Sequence, residues 1–200
     1  MDYQKKKKDD RRVKRTKRLL KDSLAALLME KNLNEISVKE LVDRADINRG
    51  TFYLHYRDIY DMLAQIENEM IADLEEITDK FPASVVEGFP KPYLLEVFRY
   101  IAENLEFCRM LLGPNGDMAF VDKLKKMVEE KSLLSIKAAY PENTYVNYQF
   151  FAAYNVAGCV GLLQNWIESG MKITPEELAE VADDLIRKGI DFLTHPVNKL

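Results

Sequence analysis

Two helix-start signals stand only eleven residues apart, and this spacing limits the segment between them to one short helix and a tight turn. Ser37 and Glu40 form an S-x-x-E capping box, and Asn48 is a second capping residue. Asp46 tolerates the left-handed conformation of a tight turn, and Ile47 is an apolar residue that can pack between the helices. Apolar residues recur at helical spacing at Val38, Leu41, Val42 and Ala45. The segment predicts two turns of helix, a tight turn and a second short helix from Arg49 to about Tyr56.

The remaining periodicity is also helical. An amphipathic helix is predicted from Arg12 to Glu30, and Asp58 is the predicted cap of a long helix that runs to about Asp79. With 8 Gly and 7 Pro, the chain lacks the turns of a many-stranded β protein. We therefore expect an all-α fold with an N-terminal three-helix helix-turn-helix domain and a C-terminal helical domain. Four more helices are predicted, at Tyr93–Leu112, Met118–Tyr140, Asn143–Ser169 and Pro175–Leu193.

Charge divides the chain into two unlike parts. Residues 1–58 hold 16 Lys or Arg against 10 Asp or Glu, a net charge of +6, whereas residues 59–200 hold 13 against 23, a net charge of −10. The net positive charge of residues 1–58 favours a polyanionic binding partner. We expect a flexible basic arm at 1–11, a helix-turn-helix domain at 12–58 and a helical regulatory and dimerisation domain at 59–200. The Lys5 to Lys8 run is either a solvated tail or an arm that contacts phosphates or a minor groove.

Several classes of protein are disfavoured by what the sequence contains. Cys108 and Cys159 are too few for a disulfide framework or a metal site. The apolar run from Phe150 to Leu163 is interrupted by Asn155 and is shorter than the ~20 residues of a membrane-spanning helix. With two His and no paired nucleophile and base, the sequence argues against an enzyme. We expect a cytoplasmic protein with no cofactor, metal or membrane partner.

The run from Ser37 to Val42, followed by Ala45 to Tyr56, resembles the DNA-binding domain of TetR-family transcriptional regulators. The R-G-T-F-Y-L-H-Y stretch beginning at Arg49 carries most of this resemblance. Further along, Leu111–Asp117 and Gly158–Trp166 resemble the C-terminal domain of the dihydroxyacetone-kinase regulator subgroup. The resemblance implies a regulator that binds double-stranded DNA sequence-specifically.

Carried over position by position, the resemblance implies a DNA-facing surface on the second short helix. Ser37 and Lys39 would lie near phosphates, Gly50 would permit close packing or close approach of DNA, and Phe52 would face the core. The implied DNA-binding residues are Ser37, Lys39, Asn48, Arg49, Gly50, Thr51, Tyr53, Leu54, His55, Tyr56 and Arg57.

Three positions depart from the family pattern. Leu54 stands where many relatives carry an aromatic residue, and its side chain can meet a thymine methyl group. Asp46 replaces the usual turn glycine. Ile59 replaces a phosphate-binding lysine, for which Arg57 is the expected substitute.

The predicted helix from Asn143 to Ser169 is rich in small residues, including Ala153, Ala157, Gly158 and Gly161. Such residues allow a second helix to approach closely. They indicate either an ordinary intrachain core or, as the resemblance implies, a homodimer formed through the last two helices. A homodimer would present two recognition helices to a pseudo-palindromic operator.

The resemblance also implies a small-molecule pocket among the middle helices, although side chains of the same type commonly form plain core. The candidate pocket residues are Phe98, Tyr100, Phe107, Met110, Phe120, Met127, Phe151 and Tyr154. The expected function is a repressor that a small-molecule effector releases from its operator. The alternative is a co-regulator whose C-terminal domain binds a separate ligand-sensing protein.

Overall fold

A computed structural model describes residues 2–81, 91–112, 118–139 and 145–194, and over these residues the fold is all-helical. A 3₁₀ turn at Leu33–Glu35 precedes α2. The α-helices are α1 (Asp2–Leu28), α2 (Val38–Ala45), α3 (Arg49–Tyr53), α4 (Ile59–Asp79), α5 (Lys91–Glu103), α6 (Leu105–Leu112), α7 (Met118–Ala139), α8 (Tyr145–Glu168) and α9 (Pro175–Thr194).

Most helix bounds agree with the sequence prediction, but three differ, and one of these is α3, which ends at Tyr53 rather than at about Tyr56. The first helix begins at Asp2 rather than Arg12, so residues 2–11, predicted as an arm, are helical. The predicted helix Tyr93–Leu112 is two helices, because the chain leaves regular α-helix at Asn104. The Asn104 N–H contacts the carbonyls of both Tyr100 and Ile101, and its side-chain amide donates to the Tyr100 carbonyl at 3.0 Å. The Gly113–Asp117 motif lies outside the described residues.

The chain divides into two compact units, residues 1–70 and 71–200. In the first unit Leu20, Leu24, Leu41 and Phe52 are fully buried and form the core of a three-helix domain. The division falls inside α4, whereas the sequence predicted it near residue 58. The start of α4 belongs to the first unit because Ile59, Met62 and Ile66 are buried on the apolar side of that helix.

In the second unit, polar contacts fix α5 against α9. The buried Asp183 of α9 accepts the Lys91 N–H at the start of α5 at 3.1 Å, and it also pairs with Arg187 at 2.7 Å. Arg99 of α5 donates to Glu176 of α9 at 2.8 Å. Because a helix start has N–H groups without intrahelical partners, Asp183 acts as a cap supplied by another helix.

The turn between α2 and α3 is fixed by local hydrogen bonds. The Ser37 hydroxyl accepts the Glu40 N–H at 3.2 Å and begins α2, and the Lys31 ammonium beside Glu40 lowers the pKa of that carboxyl. Asp46 ends α2 in the left-handed conformation, with φ 52° and ψ 47°. The Ile47 N–H then donates to the Val42 carbonyl at 3.0 Å. The predicted left-handed turn at Asp46 is confirmed.

The left-handed backbone at Asp46 gives a stability prediction. A β-branched side chain is strained there, so we expect Asp46→Val to lower the free energy of unfolding by about 1–2 kcal/mol relative to Asp46→Gly. Urea unfolding followed by circular dichroism measures the difference.

The exposed Asp43, within regular α2, is the matched control. There the order should reverse, because glycine costs about 0.5 kcal/mol more than valine inside a helix. The same order at both positions would contradict the assigned turn geometry.

Candidate nucleic-acid interface and cavity

The short helix α3 is held at its start by Asn48. The Asn48 carbonyl oxygen Oδ1 accepts the Gly50 N–H at 2.7 Å. A Cβ at position 50 would lie 3.1 Å from that oxygen, which is a tight contact. Glycine at position 50 therefore avoids a tight contact between a side chain and the Asn48 oxygen that caps α3.

The inner side of α3 anchors it to the first unit. Phe52 is fully buried, as predicted, and its ring centroid lies 5.6 Å from that of Tyr56. Tyr56 is itself only 3% exposed, with the Lys17 ammonium 5.9 Å from its ring centroid. Burial raises the pKa of Tyr56 to about 12, so its hydroxyl stays protonated at neutral pH.

The burial of Tyr56 corrects its placement among the DNA-facing residues. Its ring packs in the core beside Phe52 instead of lying on the outer face. The sequence prediction placed it outside because it follows His55 directly in the diagnostic run. In the structure the regular helix ends at Tyr53, and the turn that follows directs position 56 inward.

The outer side of α3 and of the turn that follows it faces solvent. Arg49, Tyr53 and Leu54 are exposed, Leu54 to 80% of its surface, and Thr51 and His55 are half-buried. Arg49 donates to the Tyr53 hydroxyl at 3.1 Å, and its guanidinium lies 5.6 Å from the Tyr53 ring centroid. These five side chains form the candidate interface, which presents a guanidinium, two hydroxyls, an imidazole and an apolar tip.

Cations and hydrogen-bonding groups flank the candidate interface. Ser37 and Lys39, at the start of α2, are exposed. The Arg57 side chain is 86% exposed and contacts Asp61 at 3.0 Å. The Arg57 N–H also donates to Asp61 at 2.9 Å, and these contacts lower the pKa of the Asp61 carboxyl. Arg57 is therefore held in place by Asp61 while its guanidinium remains open to solvent.

A mostly apolar cavity of about 170 Å³ lies in the second unit. Its walls come from the end of α4 and from α5, α7, α8 and α9. Of the eight predicted pocket residues, Phe98, Met127 and Phe151 line the cavity.

The other five predicted pocket residues do not line this cavity. Phe107 and Phe120 are buried, so they belong to the core, and Tyr100 donates to Asp73 at 2.9 Å. Met110 is half-buried, and Tyr154 is 70% exposed on α8. The helical spacing of apolar residues did not distinguish cavity-lining positions from core or exposed ones, because several faces of the middle helices are apolar.

The cavity also contains polar groups that the sequence prediction missed. Thr78, Tyr93, Asn155 and Cys159 line it. The predicted pocket residues were all aromatic or methionine, so Thr78, Asn155 and Cys159 were not among them, and Tyr93, although aromatic, was omitted. A usable signal was present, since Asn155 interrupts an otherwise apolar helical run.

Across the described ranges, no cluster of His, Cys, Asp and Glu has the geometry to hold a metal ion. No helix in this part of the chain is long and apolar enough to cross a bilayer.

Comparison with known proteins bears on both units. Residues 22–66 match the family model described as bacterial regulatory proteins, tetR family. Residues 90–188 match a model described as a transcriptional regulator C-terminal region. An uncharacterized HTH-type transcriptional regulator, YxbF of Bacillus subtilis, is 31% identical over 170 residues. That match spans 84% of this chain but only 43% of the relative's length.

Solved structures of other regulators share the fold. The dihydroxyacetone kinase operon activator DhaS superposes with a TM-score of 0.61 at 20% identity, over 88% of this chain and 97% of DhaS. NalD, a secondary repressor of a multidrug efflux pump in Pseudomonas aeruginosa, superposes with a TM-score of 0.64 at 15% identity, over 88% of this chain and 95% of NalD. Through these two matched family models, this chain belongs to the TetR family of bacterial regulatory proteins.

Proposed function

We propose that the protein is a cytoplasmic repressor that binds a specific operator through the candidate interface and is released when a small molecule enters the cavity. The observation that carries the DNA-binding part is the outer surface of α3 and the turn after it, where Arg49, Tyr53 and Leu54 are exposed and Thr51 and His55 are half-buried. A major groove admits one α-helix, and each base pair presents a distinct pattern of donors and acceptors there.

The chemistry of this set suits direct readout of bases. The Arg49 guanidinium can donate two hydrogen bonds to a guanine, and the Leu54 tip can contact a thymine methyl group. The contact between Arg49 and Tyr53 restrains the guanidinium before DNA arrives, which reduces the entropy lost on binding. Ser37, Lys39 and Arg57 would contact phosphates on either side and set the register.

A second copy of the chain is the proposed partner of α8 and α9. Phe150 and Tyr154 are exposed on α8, four residues apart, and Val181 and Leu185 are exposed on α9, also four residues apart. Gly158 and Gly161 have open space where a Cβ would project, so another backbone can approach there. This surface, the α8–α9 face, supports a two-fold dimer and hence a pseudo-palindromic operator.

Effector release rests on the position of the cavity. Thr78, in the last turn of α4, lines the cavity, and the same helix begins at Ile59 in the first unit. A ligand that binds one position of α4 better than another would shift the population of the DNA-binding form.

A co-regulator that binds a separate ligand-sensing protein is the second candidate. Met118 and Leu134 on α7 are exposed apolar side chains, 64% and 70% respectively. Such side chains can serve as anchors for a partner protein. The cavity favours the first candidate, because a direct sensor needs space for its effector.

The candidate interface gives a mutational prediction. Thr51→Ala combined with His55→Ala should weaken operator binding about a hundredfold, since a good base contact contributes roughly 1–3 kcal/mol. Fluorescence anisotropy at physiological salt measures the affinity, and circular dichroism checks the fold. Asn34→Ala combined with Glu75→Ala, at exposed positions outside α3, is the control. Wild-type affinity for the α3 variant would contradict the interface.

The α8–α9 face gives a prediction about assembly. Tyr154→Glu should raise the dimer dissociation constant at least tenfold, because it places a charge in a contact that occurs twice in a symmetric pair. Sedimentation velocity measures the dimer. Leu134→Glu changes an equally exposed side chain on α7 and should leave the dimer intact. Loss of the dimer with Leu134→Glu alone would move the interface to α7.

A further inference from the structure

The wall of the cavity is built mainly from hydrocarbon. Phe98 and Ile101 from α5, Leu124 from α7, and Phe151 and Leu163 from α8 line it, and all five are buried. Apolar lining favours a ligand whose body is apolar, because each buried CH₂ contributes about 0.8 kcal/mol. A strongly polar metabolite would lose its hydration without gaining enough partners.

The volume of the cavity limits the size of that body. A cavity of roughly 150 Å³ lined by aliphatic and aromatic side chains accommodates benzene. The present cavity measures about 170 Å³. It therefore has room for one six-membered ring with a short substituent when its walls stay in place.

Polar groups in the wall present hydrogen-bond acceptors to the interior. The Thr78 hydroxyl donates its one hydrogen to the Leu74 carbonyl at 2.7 Å, so its oxygen acts only as an acceptor. The Tyr93 hydroxyl lines the same cavity, and its oxygen can accept a hydrogen bond from a ligand. Asn155 uses one of its two amide hydrogens on the Phe151 carbonyl at 2.8 Å, and its carbonyl oxygen can accept a further hydrogen bond.

The same groups are uncharged at neutral pH. Burial raises the pKa of the Tyr93 hydroxyl, and burial raises the pKa of the Cys159 thiol to about 11. Both side chains therefore stay protonated. They provide no negative charge to a bound cation.

Charge in the remaining wall also disfavours an ionic ligand. Among the described residues, the wall includes no carboxylate, so a cation would find no opposite charge. Lys125 and Lys131 line the cavity, but the Lys131 ammonium already pairs with Asp79 of α4. An anion would have to compete with Asp79 for Lys131, and at Lys125, the other lysine of the wall, it would still lose its hydration in a mostly apolar space.

We propose that the cavity binds an uncharged, single-ring molecule of substituted-benzene size that carries one hydroxyl group, which donates to the Tyr93 oxygen. This inference deepens the proposed function, because it names the class of effector for the same cavity. A phenol with one short alkyl group represents the class.

The chain contains a natural reporter for the test. Trp166 is its single tryptophan, and the indole ring centroid lies 6.3 Å from that of Phe98, a wall residue. Titration of the full-length protein therefore uses tryptophan fluorescence. The probes share one skeleton and differ in the polar group: 4-ethylphenol, ethylbenzene, 4-ethylbenzoate and 4-ethylbenzylamine.

We expect 4-ethylphenol to bind about tenfold more tightly than each of the other three, as one added neutral hydrogen bond allows. Tyr93→Phe combined with Thr78→Val removes both hydroxyls and should cost 4-ethylphenol about tenfold while leaving ethylbenzene unchanged. Tyr100→Phe removes a hydroxyl from the same helix outside the cavity and should alter neither. Tightest binding by a charged probe, equal binding by ethylbenzene, an unaffected double variant, or no response to any probe would overturn the proposal.

A second measurement separates this inference from the proposed function. The complex of the protein with its operator is titrated with 4-ethylphenol. Selective binding to the free protein without release of DNA supports the ligand class and contradicts effector release. Operator binding combined with no response to any probe overturns the ligand class alone.

Discussion

The orientation of α3 depends on one turn, in which Asp46 holds a left-handed backbone between two helices. This conformation ends α2 after eight residues and directs the Ile47 N–H to the Val42 carbonyl. Asn48 then begins α3 two residues later. Because α3 has only five residues, the turn sets its direction, and the buried Phe52 fixes its rotation. Everything proposed for DNA recognition rests on that pair of constraints.

The two units separate the tasks by the chemistry of their surfaces. The sequence places +6 in residues 1–58 and −10 in residues 59–200, so the phosphate-attracting charge lies in the part that carries α3. The second unit instead exposes apolar side chains on α8 and α9 and encloses an apolar cavity. The charge of the first unit therefore favours binding to a polyanion. The second unit is the proposed site for a second copy of the chain and for a small apolar molecule.

The parts of the fold that local chemistry determines were predictable from the sequence. Ser37, Asp46, Asn48 and Asp58 act within four residues of their own positions, and each lies where capping and turn preferences predict it. The break at Asn104 was not predicted, since the apolar period continues through it.

Features that depend on distant residues were less accessible from the sequence. Tyr56 packs against Phe52 and against Lys17 of α1. Because it lies beyond the end of α3, the helical spacing of that segment did not predict its burial. The cavity combines five segments of the chain, and Tyr154, an aromatic residue like Phe151 on the same helix, is exposed instead. The sequence identified the apolar faces of these helices, but tertiary packing decides which side chains line the cavity and which are exposed.

The central claim is that two copies of α3 read one two-fold DNA site. Selecting duplexes from a random pool with the full chain, and sequencing those retained at physiological salt, tests it directly. We expect enrichment of two inverted copies of one short half-site at a fixed separation, since each protomer contributes one α3. Retained DNA without a shared motif, or with a single unpaired half-site, would contradict it.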